Sequence, residues 1–161
     1  MFRVLTPHHC IASVLELTPD WLRSMRLQNL LLDADGTLKR YRSEECAPGV
    51  ARWLDGLRQA GFGLCLVSNG LGERIGRFAE GVGLPFVAKA MKPLPIGCRR
   101  ALRKMGFQPE CTSMVGDQLF ADIMAGRLAG LTTILVKPIN PEEEPWFTRL
   151  KRPPERWLLG K

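Results

Sequence analysis

The chain has 161 residues, 45% of them apolar, and a formal net charge of +7. That size and apolar fraction exclude wholesale disorder and suffice for one folded domain without disulfides or a structural metal. The scattered cysteines (Cys10, Cys46, Cys65, Cys98, Cys111) form no CxxC pair, which argues against a zinc or disulfide framework and fits a reducing cytoplasm.

The first 29 residues show no clear strand, but Thr18 followed by Pro19 predicts a capped helix start. Leu30-Leu31-Leu32 is a short apolar run ending at Asp33. Val50, Trp53, Leu54 and Leu57 lie at i, i+3, i+4 and i+7, the apolar stripe of a helix over residues 48–60, with Gly61 as its stop. Phe62 to Val67 predicts a second strand, in which Cys65 is a small core residue. A helix over residues 71–80 and a short strand near Leu84–Ala88 follow. Pro93 to Met105 predicts another helix, Ser113 to Val115 a strand, Leu119 to Leu128 a helix and Leu131 to Val136 the last strand. The proline-rich stretch 137–161 predicts an extended or partly helical tail. Strand–helix alternation of this kind calls for a three-layer, doubly wound α/β domain with a parallel sheet. Ligands in such sheets bind beyond the carboxyl ends of the strands.

Three predicted strands run into residues that can do chemistry. Asp33-Ala34-Asp35-Gly36-Thr37 sets two carboxylates at a dry strand end, costly unless they are paired, hydrogen-bonded or bound to a cation. Oxygen donors of this kind suit magnesium, often shared with substrate phosphate. Ser68-Asn69 offers a hydroxyl and backbone N–H groups to a phosphate oxygen, though a Ser-Asn pair also serves as an ordinary helix cap. Lys92-Pro93, with Pro93 read as the first helical residue, sets an ammonium at a loop–helix junction. Gly116-Asp117 repeats the pattern of an acid after a strand, and Asp122 lies about one helical turn on. One of these two acids can complete a metal site while the other holds Lys92 or a metal-bound water.

An acid pair, Ser/Asn, Lys-Pro and GDxxxxD in this order resemble the haloacid dehalogenase-like superfamily over roughly residues 28 to 138. Ala88–Pro93, Gly116–Leu119 and Thr133–Pro138 are most similar to its small YqeG-type and phosphatidylglycerophosphatase group. The resemblance implies a single domain over 1–161 with terminal extensions and a minimal cap or none. It also implies a Mg2+-dependent phosphatase acting through an aspartyl-phosphate. In that scheme Asp33 is the nucleophile and Asp35 the general acid and base. Asp33, the Asp35 backbone carbonyl and Asp117 hold the metal. Ser68, Asn69 and Lys92 bind the phosphoryl group, and Asp122 supports them.

Two further expectations concern partners. The short spans Leu38–Pro48 and Asn69–Lys92 leave no room for a large cap, so the site is open to a bulky or surface-bound phosphorylated substrate. The basic balance, with Trp21, Trp146 and Trp157, suits peripheral contact with an anionic membrane and a lipid such as phosphatidylglycerophosphate. With no basic leader and no apolar run of ~20 residues, the chain reads as cytoplasmic. No nucleic-acid module is present, so none is expected to bind. The alternatives are a soluble phosphatase of broad range and a non-enzymatic phosphoacceptor or scaffold module. A receiver-type phosphoacceptor would carry its reactive aspartate after the third strand, whereas here it follows the first predicted one.

Overall fold

The computed structural model describes residues 2–150 and 152–160. Its strands are β1 (His9–Ile11), β2 (Asn29–Leu32), β3 (Gly63–Val67), β4 (Phe86–Val87), β5 (Thr112–Gly116) and β6 (Thr132–Val136). They form one six-stranded sheet in the order β1-β6-β5-β2-β3-β4, and every pairing is parallel.

Parallel sheets bury both faces, and the two-residue alternation of strand side chains divides the core accordingly. Leu30 and Leu32 join Leu54, Leu57, Ile75 and Phe78 in one cluster, beneath α1 (Pro19–Ser24), α2 (Val50–Gln59) and α3 (Gly72–Val82). Leu31, between them, joins Cys98, Ala101 and Leu102 on the other face, beneath α4 (Ile96–Met105) and α5 (Met124–Leu128). The outcome is the expected three-layer α/β architecture. Leu31 is fully buried in the central strand. Leu31→Ala is expected to cost about 3 kcal/mol and to lower the melting temperature by roughly 6–12 °C in a thermal unfolding scan.

The N-terminus departs from expectation, because β1 precedes Leu30. It is a three-residue edge strand, paired with β6 through His9↔Ile134, too short to show a period. Thr18 does cap α1, its hydroxyl accepting from the Trp21 N–H at 3.2 Å. Trp21 itself is half-buried, packs on the core and meets the His9 ring edge-on at 5.1 Å, so it is not a surface anchor. The helix expected from Pro93 begins only at Ile96. Turns lead into it: Lys89 and Met91 adopt positive φ, and the Leu94 N–H donates to the Met91 carbonyl. The helix expected from Leu119 opens with a wide π turn, Leu119–Ile123, before α5. The tail folds into α6 (Trp146–Arg149) and α7 (Arg152–Leu158), which return towards the carboxyl end of β5.

Candidate active site

Sheet order places the site. β2 lies between β3 and β5, so the chain leaves β2 in one direction first and returns on its other side later. That reversal opens a crevice beyond the strand ends. The register pairs Leu32 with Val115 and with Leu66, so the residues that follow each strand emerge side by side. The Asp33 N–H donates to the Val115 carbonyl at 2.9 Å, and the Ser68 N–H to the Val87 carbonyl at 3.0 Å. Asp33, Ser68, Lys92, Asp117 and Asp122 are all buried there.

Lys92 ties these residues together. Its ammonium donates to Asp33 Oδ1 at 2.7 Å, Asp122 Oδ1 at 2.6 Å and the Val67 carbonyl at 2.8 Å. All three ammonium donors are thereby used, which makes burial of the charge tolerable. Burial alone would lower the Lys92 pKa, but the Asp122 and Asp33 carboxylates outweigh it and raise the pKa, so the amine stays charged. Asn69 fixes the lysine's backbone: its Nδ2 donates to the Lys92 carbonyl at 2.9 Å, and its Oδ1 accepts from the Lys92 N–H at 2.8 Å. The Asn69 side chain therefore positions Lys92. The Ser68 hydroxyl oxygen accepts from the Gly70 N–H at 3.1 Å and faces the same cavity as Asn69.

The acids converge. One carboxylate oxygen each from Asp33, Asp117 and Asp122 lies within 4.8 Å of the others, and all three residues are buried. Burial pushes the Asp33 carboxyl up to about 7, against the pull of Lys92 and with reinforcement from Asp122 and Asp35. Burial, followed by Asp122 and Asp33, also drives Asp117 well above its usual range, with Arg152 opposing. Such a cluster of buried oxygens is unfavourable by itself and matches the demand of a hard divalent cation such as Mg2+. Thr37 bridges two of these acids, its hydroxyl lying 3.4 Å from Asp33 Oδ2 and 3.3 Å from Asp117 Oδ1.

Two glycines make the approach possible. At Gly36 (φ +83°) a Cβ would stand 2.9 Å from Asp117 Oδ2. At Gly116 it would fall 2.2 Å from Asp122 Cγ, inside the side chain that holds Lys92. Glycine at both positions is thus required by close approach and, at Gly36, by a backbone conformation that L side chains rarely adopt.

Asp35 turns elsewhere. Arg74 grips it with two parallel bonds, at 2.9 Å to Oδ1 and 2.7 Å to Oδ2, and the buried Lys39 ammonium pairs with Oδ1. Burial pushes the Asp35 carboxyl up, but the hydrogen bonds from Arg74 and Lys39 prevail and hold it below the usual carboxylate range. Of the residues read from sequence, Asp33, Asp117, Asp122 and Lys92 meet in one cluster, and Ser68, Asn69 and Asp35 line the cavity beside it. This cavity, of about 400 Å³, is open on one side and also reaches Arg74, Tyr41 and Phe147.

Sequence reasoning missed Arg74, Lys39 and Arg152. Arg74 sits in the first turn of α3, where a charged residue reads as solvated surface. Lys39 lies in an irregular stretch, yet it is almost fully buried over the Phe78 ring, 5.5 Å from its centroid. Arg152 comes from the tail and reaches Asp117, an approach that no local pattern announces.

Residues 12–130 match the family model of haloacid dehalogenase-like hydrolases. The chain is 31% identical to the probable phosphatase YqeG of Bacillus subtilis over 154 residues, which are 96% of this chain and 89% of that one. It is 29% identical to the phosphoserine phosphatase of Thermus thermophilus over 125 residues, 70% of this chain and 50% of the relative. Among solved structures, it resembles the 3-deoxy-D-manno-octulosonate 8-phosphate phosphatase of Moraxella catarrhalis, in complex with a magnesium ion, a phosphate ion and a KDO molecule, with a TM-score of 0.57. That match is 18% identical and covers 86% of this chain and 90% of the other, a likeness of fold. NagD of Escherichia coli gives the same TM-score of 0.57 at 20% identity, over 68% of this chain and 87% of that one. With a family model spanning most of its length and a relative matched nearly end to end, the chain belongs to the haloacid dehalogenase-like hydrolase family.

Proposed function

We propose that the protein is a Mg2+-dependent phosphomonoester hydrolase that works through an aspartyl-phosphate on Asp33. The observation that carries this reading is the convergence of Asp33, Asp117 and Asp122, of which Asp33 and Asp122 hold the Lys92 ammonium. Asp33, Asp117 and the Asp35 backbone carbonyl would hold the cation, which when bound supplies positive charge to the phosphoryl oxygens. Lys92 adds a fixed positive charge on the same side, and Ser68 with the backbone N–H of Asn69 offers further donors. Charge stabilisation of this kind is usually a large contribution to catalysis.

In the first half-reaction an Asp33 oxygen bonds to phosphorus as the bond to the ester oxygen breaks, and that oxygen takes a proton from Asp35. In the second, water gives its proton to Asp35 and its oxygen to phosphorus, and the bond to Asp33 breaks to release inorganic phosphate. With Arg74 seated on it, Asp35 is ionised, the form needed for the second half. Donation in the first half requires both Arg74 and Lys39 to loosen their hold on Asp35, and the Arg74 guanidinium already lines the cavity where the substrate's own oxygens would receive it.

The substrate reading is a phosphorylated lipid, phosphatidylglycerophosphate, reached at a membrane surface. Several features support it. Trp146 (73% exposed) and Trp157 (77%) stand out on α6 and α7, with exposed Phe147 and Leu150 near them in the chain. Exposed Leu71 follows the cavity residue Gly70, and exposed Met91 precedes Lys92, so apolar side chains occur on more than one loop beside the opening. Among the described residues no helix is long and apolar enough to cross a membrane, so contact of this kind would be peripheral.

Phosphate release should be measured with phosphatidylglycerophosphate in vesicles and with soluble sugar and nucleotide phosphates, each with Mg2+ and with a chelator. Turnover is expected to vanish with the chelator and kcat/KM to favour the lipid. Undiminished turnover in the chelator would remove the metal from the reading. A clear preference for soluble phosphates would overturn the lipid assignment while leaving the phosphatase in place.

A further inference from the structure

The C-terminal arm reaches the acidic cluster through Arg152. One terminal nitrogen of its guanidinium donates to Asp117 Oδ2 at 2.5 Å, and the other donates to the Asp117 backbone carbonyl at 2.5 Å. The guanidinium is itself held in place. Its Nε lies 3.1 Å from both Glu144 carboxylate oxygens, the nitrogen on Asp117 Oδ2 also pairs with Glu144 Oε1, and the nitrogen on the carbonyl donates to Glu155 Oε2 at 3.1 Å. Both glutamates are buried, and Glu155 is anchored to the π turn by the Phe120 N–H, which donates to Glu155 Oε1 at 3.1 Å. The Arg152 side chain keeps only 15% of its surface exposed.

The two oxygens of Asp117 therefore face different partners. Oδ2 belongs to Arg152, whereas Oδ1 lies 3.3 Å from the Thr37 hydroxyl that also reaches Asp33. A carboxylate so clamped, through both its side chain and its own backbone carbonyl, has one orientation, with Oδ1 on the side of Asp33. Arginine suits this task because its planar fork can serve several acceptors at fixed angles, which an ammonium cannot.

We propose that Arg152 is the positioning residue of the cation site: by holding Asp117 Oδ2 and the Asp117 carbonyl, the C-terminal arm presents Oδ1 as the metal-binding oxygen. This rests on the reading of Asp117 as a Mg2+ ligand. Groups that orient a ligand from behind typically govern metal affinity by 10–100-fold. The arm thus belongs to the hydrolase site, although it lies outside the span 12–130 matched by the family model.

The test is Mg2+ binding by isothermal titration calorimetry on the whole chain, with no substrate present. Arg152→Ala is expected to weaken Mg2+ binding by about 10-fold or more. Arg152→Lys keeps the charge without the fork and is expected to recover only part of that loss. Glu144→Gln leaves Arg152 in place but loosens its support, so a smaller weakening is expected, and this variant serves if Arg152→Ala does not fold. Folding of each is checked by its thermal transition in a chelator. At saturating Mg2+ the Arg152→Ala kcat should return close to that of the parent, a recovery that general disruption of the site would not allow. Unchanged Mg2+ affinity in Arg152→Ala and Arg152→Lys would overturn the proposal. So would tighter binding, because the guanidinium would then be competing with the ion. Asp117→Asn separates the two levels. If it abolishes Mg2+ binding while the Arg152 variants do not, only the role of Arg152 fails. If it leaves binding intact, the metal reading itself fails.

Discussion

Asp33→Asn is expected to reduce phosphate release to below about one thousandth of the parent rate, a loss of roughly 4 kcal/mol of barrier lowering. The substitution preserves shape, and the new amide oxygen can still accept from the Lys92 ammonium that now lies 2.7 Å from Asp33 Oδ1. The backbone bond to Val115 is untouched. What disappears is the anionic oxygen able to bond to phosphorus. Folding should not suffer. Burial already disfavours the Asp33 charge, raising its pKa to about 7, so a neutral amide there removes a desolvated charge and its repulsion with Asp122. The melting temperature in a chelator should therefore equal or exceed that of the parent. A variant that folds normally and still releases phosphate at more than a few per cent of the parent rate would exclude Asp33 as the nucleophile.

Lys92→Met is expected to do the opposite to stability. Methionine fills the volume of the stem but leaves Asp33 and Asp122 without the cation that each contacts at under 3 Å, and strips the Val67 carbonyl of its donor. Breaking a buried ion pair by removing one partner costs 3–5 kcal/mol, because the remaining charge stays desolvated. A loss of about 3 kcal/mol is expected in urea unfolding with a chelator present, together with loss of turnover. Mg2+ should return part of the lost stability, since a bound cation supplies counter-charge to the same carboxylates. Stability equal to the parent without metal would mean that Lys92 does not offset these acids.

The residues of this site were legible in the sequence to different degrees. Asp33, Asp117 and Lys92 each stand just past a strand or turn, and the alternation of apolar runs with amphipathic helices was enough to bring strand ends together. The structure sends Leu30 and Leu32 to one side of the sheet and Leu31 to the other, as suits an unbroken apolar run in a strand buried on both faces. The strand β1 was hidden because three residues carry no period, and its pairing with β6 spans more than a hundred residues of chain. α4 starts later than its sequence suggests because Pro93 fits a first helical turn as well as it fits the tight turns that the structure places there. Asp35 was legible as a carboxylate but not in its company. Arg74 and Lys39 surround it from segments where a basic side chain signals only solvent. Arg152 was hidden in the same way, since its meaning arises from a contact that the proline-rich tail makes with Asp117 and that no local pattern announces.

The wide turn after β5 carries its own consequence. The Asp122 and Ile123 N–H groups both donate to the Gln118 carbonyl, at 2.9 and 3.2 Å, so one carbonyl serves two successive donors. This expanded coil sets the arc between Asp117 and Asp122, and the Gln118 N–H returns a bond to Asp122 Oδ2 at 3.0 Å. Adding or deleting one residue there would swing the second acid by ~100° about the coil axis, away from the ammonium it meets. The interval 117–122 is therefore a ruler with a fixed number of divisions. The distance between its two acids is kept by its length.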